Sequence, residues 1–490
     1  MPFVTGPLPQ RLKLVHGFGA VAFGVKDSGF SFFLLPFYNL VLGVDASTVG
    51  AALAAALVID ALVDPLIGHL SDRTYTKWGR RLPWLYLAPW PLALVWTMLW
   101  SPPFTGTPGF WDIVALAVGV RLLLSACEVP SVSLVPEITD DYDDRTTLFR
   151  YRFLSGWLGG LLMMVLTFTV FLPTPQSQLQ PEGYASYGLF GAALIALSVI
   201  GSAAAQHRIV AQLPERRPAP FSITGAFAEI FDAFREKAFV IFALGGLAAY
   251  VLQGMTFSIT QYVNLYVWQF SELAFQLYPA VLFLSVVLMF VIVGPLHRRW
   301  GKPKSAALGA LVGLAFYCSP YVFYLAGAWP TVGTTASTAL LYGFLVCANT
   351  ASVVAIISAT SMVAEIVEAF EERTGQRAEG TFYAGNWLVQ KCATGGGILL
   401  TSLIVQSIDL APGTPQADVA PETVTQLVWL FMLTAAALAL IAAYWLARFP
   451  ISREQHEARV AARGARAPQP QSDPLDEAVR ADPDAHTITP

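Results

Sequence analysis

Charged residues are scarce in this chain. They make up 13% of its 490 residues, about half the share of a typical soluble domain, whereas hydrophobic residues make up 55%. The four cysteines, Cys127, Cys318, Cys347 and Cys392, all lie inside apolar segments, which favours packing over disulfides or metal ligands. The sequence lacks a phosphate-binding loop, a zinc-ligand spacing, a nucleophile elbow and a basic domain. We therefore expect no enzyme, no cofactor and no nucleic-acid partner.

Lysine and arginine are missing from every second connector between the apolar segments. About twelve of these segments are long enough to cross a bilayer, which takes ~20 residues. The basic connectors carry Arg11 and Lys13; Arg73, Lys77, Arg80 and Arg81; Arg145 and Arg150; residues 208–237; Arg298, Arg299, Lys302 and Lys304; Arg373 and Arg377; and the residues after 448. The connectors without lysine or arginine are 43–47, 101–112, 172–187, 267–273, 325–335 and 406–426. Basic connectors stay in the cytoplasm, so the pattern predicts a multi-pass protein of the cell (inner or plasma) membrane with both termini inside.

The apolar segments fall into two groups of six. The predicted spans are 14–42, 47–70, 82–100, 111–136, 148–172, 185–206, 238–266, 273–296, 304–326, 336–363, 381–407 and 425–448. We predict an all-α fold of twelve transmembrane helices in two pseudo-symmetric halves, 1–205 and 238–448, joined by a cytoplasmic loop at 206–237. Residues 449–490 are rich in Arg, Glu, Pro, Asp and Gln, which predicts a disordered cytoplasmic tail.

A segment of fourteen residues occurs twice. Residues 133–146 and 361–374 align without gaps at a constant offset of 228, with six identities and five conservative pairs. Each copy leads from an even-numbered predicted span into a basic connector. Two such six-helix halves are typical of alternating-access transporters, whose substrate binds near the bilayer midplane between the halves. The alternative is a chance similarity between two amphipathic connector edges.

A second motif recurs where predicted spans two and eight end. It reads Gly68-His-Leu-Ser-Asp72-Arg73 followed by Trp78-Gly79-Arg80-Arg81, and it returns in shortened form at residues 294–302. The first copy resembles the cytoplasmic signature of the major facilitator superfamily, with a longer spacer. Gly68 would allow close helix packing, and Asp72 could pair with the arginines in a charge latch that opens and closes as the halves move. We define the charge latch as Gly68, Asp72, Arg73, Gly79, Arg80 and Arg81. The alternative is that its arginines only fix the topology.

Ionisable residues also lie inside the predicted spans, where each costs ~2.5–3.5 kcal/mol at mid-span and usually marks a pathway or a partner. They are Lys26, Asp27, Asp60, Asp64, Arg121, Glu128, Arg152 and Lys391. Four acids and four bases predict one buried and largely neutralised cluster, since unpaired burial is what costs most. Only Lys391 belongs to the second half.

Helical spacing brings the acids together. Asp60 and Asp64 are four residues apart and share one face, and Arg121, Ser125 and Glu128 share another at i, i+4 and i+7. Carboxylates and a hydroxyl are hard oxygen ligands, and neighbouring acids can also share a proton. We predict a site for Na⁺ or H⁺ at Asp60, Asp64, Glu128 and Ser125. The alternative is purely structural pairing of these acids with Arg121 and Arg152.

These elements make the chain resemble the glycoside–pentoside–hexuronide:cation symporters, the melibiose permease group of the major facilitator superfamily. The matching elements are Gly19-x4-Gly24-x-Lys26-Asp27; Asp60-x3-Asp64-Pro65-x2-Gly68; Trp78-Gly79-Arg80-Arg81-x-Pro83-Trp84; Glu128-Val129-Pro130-x3-Leu134-Val135-Pro136; Arg152-Phe153; residues 365–380; and Gln390-Lys391. The match covers nearly all of residues 12–448, and the elements of the second and fourth spans are specific in combination.

The resemblance implies roles by position. Asp60, Asp64 and Glu128 look like ligands of the coupling cation, with Ser125 as a further ligand. Asp27, Lys26 and Arg152 look like partners of sugar hydroxyls, and Lys391 is similar to a lysine beside the cation site. We count Asp27, Lys26, Arg152, Arg121, Lys391 and Trp387 as candidate substrate-binding residues.

The chain departs from this family at several positions. Glu128 replaces an aspartate of the melibiose permeases, and Arg121, which has no counterpart, is either an anion partner of the substrate or an internal countercharge. Val132 and Ile356 stand where sugar-stacking aromatic residues are expected, which argues against a melibiose-like galactoside. The candidates to replace these aromatics are Trp157, Tyr262, Tyr383 and Trp387.

We expect a secondary transporter, active as a monomer in the lipid bilayer, that couples entry of Na⁺ or H⁺ to uptake of a small sugar or glycoside by alternating access. One alternative keeps the fold and carries an amphipathic, lysolipid-like substrate, which the missing aromatics would also suit. Another is a membrane sensor that does not transport, but the segments outside the spans are too short to form a signalling domain.

Overall fold

The computed structural model describes residues 3–4, 6, 8–211, 232–375, 378–408 and 410–450. Most of the predicted cytoplasmic loop at 206–237 and nearly all of the predicted tail at 449–490 lie outside the described residues. The prediction of disorder in the tail and the boundaries of the two halves therefore stay predictions.

The described chain is nearly all helical, which confirms the predicted all-α class. The α-helices are α1 (Gln10–Phe18), α2 (Val21–Ser28), α3 (Leu34–Pro36), α4 (Ala46–Arg73), α5 (Leu82–Leu87), α6 (Pro89–Trp100), α7 (Phe110–Ser133), α8 (Val135–Ile138), α9 (Tyr142–Leu166), α10 (Pro181–Val210), α11 (Lys237–Tyr262), α12 (Glu272–Leu325), α13 (Thr335–Thr374), α14 (Glu379–Ser407) and α15 (Pro421–Ala447). Wider π-helical turns occur at Gly29–Phe33, Phe37–Val41, Thr167–Phe171 and Val263–Val267, and short 3₁₀ turns at Ser177–Leu179 and Gln416–Asp418.

Within the described residues, 10 helical stretches are long and apolar enough to cross a membrane. Helix α12 alone covers the predicted span 273–296 and all but the last residue of the predicted span 304–326. The predicted span 82–100 is divided between α5 and α6, because Pro89 has no N–H to donate and its ring crowds the preceding turn. The number of twelve spans and the inward position of both termini stay predictions.

The repeated motif at the ends of spans two and eight turns the chain at equivalent glycines. Gly79 has φ 86° and Gly301 has φ 73°, a conformation that glycine adopts without strain. Each follows a tryptophan and precedes a basic residue. Gly301 is where the helical geometry of α12 breaks, so this glycine separates the two spans within that helix.

The fourteen-residue repeat has two different structures. Its second copy continues α13, whereas the first copy passes from α7 through the short α8 to the start of α9. Pro136 in the first copy is Ala364 in the second, and a proline interrupts the helix at the preceding turn. Asp141, whose side chain accepts from the backbone N–H of Asp144 at 2.8 Å, caps α9, and Ala369 at the equivalent place cannot cap a helix.

Glycines allow the first and fifth spans of each half to pack closely. In the first half, a Cβ on Gly24 of α2 would come within 2.6 Å of the backbone nitrogen of Gly160 in α9. In the second half, a Cβ on Gly397 of α14 would come within 2.6 Å of the backbone nitrogen of Met255 in α11. The same pair of spans is thus packed backbone to backbone in both halves, which supports the pseudo-symmetric arrangement.

The two halves are joined toward the connectors that lack lysine and arginine. Phe32 and Phe257 approach with ring centroids 4.9 Å apart, and Phe168 and Phe275 with centroids 5.2 Å apart. The buried aromatic core extends from these contacts into the first half through Trp96, Trp100, Tyr184 and Tyr187. Helix α4 of the first half also packs along α14 of the second, and this contact positions the charged side chains described next.

Candidate functional site

The two acids of α4 share one face of the helix, as their spacing predicts. Asp60 is 3% exposed and Asp64 is half-buried one turn later. Helix α4 continues through Pro65, so this proline does not separate the two carboxylates. Both side chains turn their oxygens toward α7 and α14.

Helix α7 brings a hydroxyl and a guanidinium to these carboxylates. The Ser125 hydroxyl lies 3.1 Å from Oδ1 of Asp60 and 2.7 Å from Oδ1 of Asp64. Nη1 of Arg121 donates to Oδ2 of Asp60 at 2.9 Å. Both contacts follow from the i, i+4 spacing of Arg121 and Ser125, which places them one turn apart on the face of α7 that meets α4.

Helix α14 adds a cation from the other half. Nζ of Lys391 lies 2.9 Å from Oδ2 of Asp60 and donates a short hydrogen bond to Oδ2 of Asp64. The helices approach closely here because Gly395 has no side chain. A Cβ at this position would lie only 3.2 Å from Cα of Ala54. The single charge predicted inside the spans of the second half thus pairs with acids of the first half. We call Asp60, Asp64, Arg121, Ser125 and Lys391 the central charge cluster.

Glu128 lies near a second group of charges. It is half-buried on α7, one turn after Ser125, and the charges that act on it are those of Lys26, Asp27, Lys391 and Arg152. In the part of the chain that the structure describes, no three His, Cys, Asp or Glu side chains are grouped to hold a metal ion. Joint binding of one cation by Asp60, Asp64 and Glu128 therefore stays a prediction.

The remaining predicted sugar partners differ in exposure. Lys26 pairs with its neighbour Asp27, whose carboxylate is 67% exposed. Arg152 is 6% exposed, donates to the Ser131 hydroxyl at 2.5 Å and lies over the ring of Phe23. Asp27 is thus open to a ligand, whereas Arg152 already has a protein partner.

Arg121 is held as an internal countercharge. Besides its bond to Asp60, its guanidinium lies 4.6 Å from the centroid of the Phe30 ring, and the residue is 7% exposed. Of the two roles that the sequence left open, this geometry favours charge balance over contact with an anionic substrate.

The aromatic candidates for sugar stacking have different surroundings. Trp387 is 53% exposed and lies one turn before Lys391 on α14, and the Trp157 ring packs against Phe283 at 5.5 Å. Tyr262 is fully buried, and its hydroxyl donates a hydrogen bond to Asn39 of the other half, so its ring packs between the halves. Trp387 is therefore an exposed candidate that lies one helical turn from Lys391 of the central charge cluster.

The charge latch is organised around Arg81. This residue is 6% exposed, pairs with Asp72, and donates to the Ser71 hydroxyl at 2.6 Å and to Glu137 at 3.1 Å. Helical periodicity alone did not indicate Ser71 and Glu137 as partners. Glu137 does stand in the repeated segment, and that was the available signal.

Other latch residues have separate roles. Nη1 of Arg73 lies 2.8 Å from Nδ1 of His69, one turn earlier on α4. A Cβ on Gly68 would lie 3.6 Å from the Val129 side chain, so this position does not require glycine for close packing. Gly79 is required for a different reason, its positive φ.

Comparison with known proteins shows which family the chain belongs to. A family model described as MFS/sugar transport protein matches residues 15–453. The chain belongs to that family. It is therefore a multi-pass membrane transporter and not an enzyme, which confirms the membrane location and the class inferred from the sequence.

Relatives and solved structures agree with this assignment. An uncharacterized symporter, sll1374, of Synechocystis sp. is 28% identical over 516 aligned positions, which cover 91% of this chain and 94% of the relative. The isoprimeverose transporter of Lactiplantibacillus pentosus is 30% identical over 162 residues, which cover 32% of this chain and 33% of that protein. The crystal structure of the nucleoside transporter NupG has a TM-score of 0.62 at 16% identity, covering 90% of this chain and all of that one, which shows the shared fold.

Proposed function

We propose that this protein is a secondary active symporter that couples the inward flow of a cation, Na⁺ or H⁺, to the uptake of a small sugar or glycoside. Its membership of a sugar transport family supports the class of cargo. The names of two relatives, a symporter and an isoprimeverose transporter, point in the same direction. The observation that carries the coupling is the contact of Lys391 with Asp60 and Asp64.

This contact gives a cation a way to act on both halves at once. A cation that binds Asp64 or Asp60 competes with the ammonium of Lys391 for the same oxygens. Because Lys391 belongs to α14 and the acids to α4, its displacement weakens one link between the halves. A ligand shifts a conformational equilibrium only by its differential affinity for the two states, and this competition supplies such a difference.

Sugar binding is proposed to occur beside the central charge cluster. Asp27 offers an exposed carboxylate, and Lys26 and Arg152 lie near it within the group of charges that acts on Glu128. Carboxylates and cationic donors together suit a polyhydroxylated solute, because each sugar hydroxyl both donates and accepts hydrogen bonds. Trp387 would supply an aromatic face at the same depth of the bundle.

Purified protein in proteoliposomes tests the proposal directly. Uptake is measured over a panel of glycosides, pentosides and hexuronides, with an imposed Na⁺ or H⁺ gradient and with no gradient. We expect at least one sugar to accumulate above its external concentration under one of the gradients and to leak out when an ionophore collapses it. Flux of the wild type that is equal with and without a gradient would contradict coupling.

A further inference from the structure

Arg121 differs from Lys391, the other cation of the central charge cluster, because it belongs to the same half as the acids. It shares a half with Asp60, it is 7% exposed, and its guanidinium is held between the carboxylate of Asp60 and the ring of Phe30. Lys391 comes from the other half and is only partly buried, at 26% side-chain exposure. An arginine also stays protonated under all physiological conditions. The first half of the protein therefore carries its own permanent cation at Asp60.

The oxygens of Asp60 are already in use. Oδ2 accepts from Arg121 and lies at the same distance, 2.9 Å, from Lys391, while Oδ1 lies 3.1 Å from the Ser125 hydroxyl. The charge of Lys26 on α2 acts on Asp60 as well. If Lys391 withdraws with its half, Arg121 still donates to Oδ2 of Asp60, while Oδ1 still faces the Ser125 hydroxyl, whose single proton is shared between Asp60 and Asp64.

A sodium ion requires more than this arrangement offers. Hard metal ions are held by several oxygens at once, so a Na⁺ site here would need Asp60 together with Asp64 and Ser125. It would also place a second fixed positive charge beside the guanidinium in a site of low dielectric, where like charges repel strongly. Neither obstacle depends on the position of Lys391.

We propose that Arg121 is a built-in counter-ion that excludes sodium from the central charge cluster and thereby determines which cation the transporter uses. This inference rests on the proposed function only for its consequence, namely that the symporter is not driven by Na⁺. The structural claim itself concerns ion binding and can be tested without any sugar.

Sodium binding to the purified protein tests it. Wild type, Arg121→Ala and Arg121→Lys are compared in NaCl and in choline chloride, by thermal unfolding and by charge displacement after NaCl concentration jumps on solid-supported membranes. We expect the wild type and Arg121→Lys to respond equally to both salts. Arg121→Ala, which removes the guanidinium from Asp60, is expected to gain a sodium-specific response that the wild type lacks.

Two results would overturn the inference. One is a sodium-specific response of the wild type, which needs no variant to be measured. The other is a folded Arg121→Ala that stays insensitive to sodium. If Arg121→Ala does not fold, Arg121→Gln replaces it, since glutamine keeps a longer polar side chain at this position without a charge. Absence of gradient-driven sugar uptake would count against the proposed function and leave these ion measurements unaffected.

Discussion

The phenol of Tyr262 donates a hydrogen bond to Oδ1 of Asn39 at 2.9 Å and so joins the two halves of the transporter. Both residues are buried, and the amide of Asn39 is itself held by a bond to the carbonyl of Val44 at 2.9 Å. The contact lies toward the connectors without lysine or arginine. It is therefore a tie that exists when this end of the bundle is closed and that must break when the end opens.

Removing that hydroxyl is expected to favour opening. Tyr262→Phe keeps the ring and leaves a buried acceptor on Asn39 unsatisfied in the closed state, at a cost of about 1 kcal/mol, or roughly a fivefold change in population. Electron-spin distances between labels at Thr107 and Ala328, two exposed positions in the connectors of different halves, would report the shift.

A matched variant separates this effect from general loosening. Tyr266→Phe removes a hydroxyl one turn later, but that hydroxyl bonds the carbonyl of Thr414 within the same half at 3.2 Å. We expect its distance distribution to match that of the wild type. Equal shifts in both variants would show that the bond between Tyr262 and Asn39 does not hold this end closed.

The charge of Asp64 is expected to be essential for uphill transport. Asp64→Asn keeps the size of the side chain and an oxygen for Ser125, but it removes the negative charge for which Lys391 and a cation compete. Accumulation of sugar in proteoliposomes should fall to background, while thermal unfolding in detergent stays close to that of the wild type.

Asp45→Asn is the control for this substitution. Asp45 precedes α4, is exposed and lies at the far end of the helix from Asp64, and it makes no side-chain capping bond there. Loss of one negative charge at that position should leave accumulation unchanged. If Asp64→Asn still accumulates sugar against its gradient, the central charge cluster is not the coupling site.

How far the sequence predicts this structure depends on the range of the interactions involved. The spacing of Asp60 and Asp64, and of Arg121 and Ser125, placed each pair on one helix face, because the helical period is a local property. The repeated Trp-Gly-basic motif likewise indicated that Gly79 and Gly301 are equivalent, and both have positive φ.

Such local patterns do not predict contacts between distant segments of the chain. Periodicity indicates which side chains share a face but not which helix that face meets. The sequence therefore did not predict the bond between Arg121 and Asp60, and the role of Arg121 stayed open. The same holds for Tyr262 and Asn39, which are 223 residues apart. The repeat was also misleading in one respect, since Pro136 and Ala364 give its two copies different backbones.

Arg81 is expected to contribute strongly to stability at the end of the bundle where the basic connectors lie. Arg81→Ala would remove three hydrogen bonds and leave Asp72 and Glu137 without their common cation. We expect a loss on the order of 2 kcal/mol, measured by thermal or denaturant unfolding in detergent. Arg80→Ala is the control, because the adjacent arginine takes no part in these bonds. A similar loss in both variants would assign the effect to net charge instead.

The backbone contact between α11 and α14 predicts opposite effects at two neighbouring glycines. A Cβ at Gly397 would come within 2.6 Å of the nitrogen of Met255 and within 2.9 Å of the carbonyl carbon of Gly254, and backbone atoms cannot move aside as a flexible side chain could. Gly397→Ala should therefore force the helices apart and cost about 1–3 kcal/mol.

At Gly396 the same methyl group would meet only the Val251 side chain, at an ordinary 3.7 Å. Because alanine is the better helix former, Gly396→Ala should be neutral or raise the stability by up to about 1 kcal/mol. Unfolding midpoints of the two variants, measured side by side, decide the point, and a destabilised Gly396→Ala with a tolerated Gly397→Ala would show that α14 is rotated from the position described.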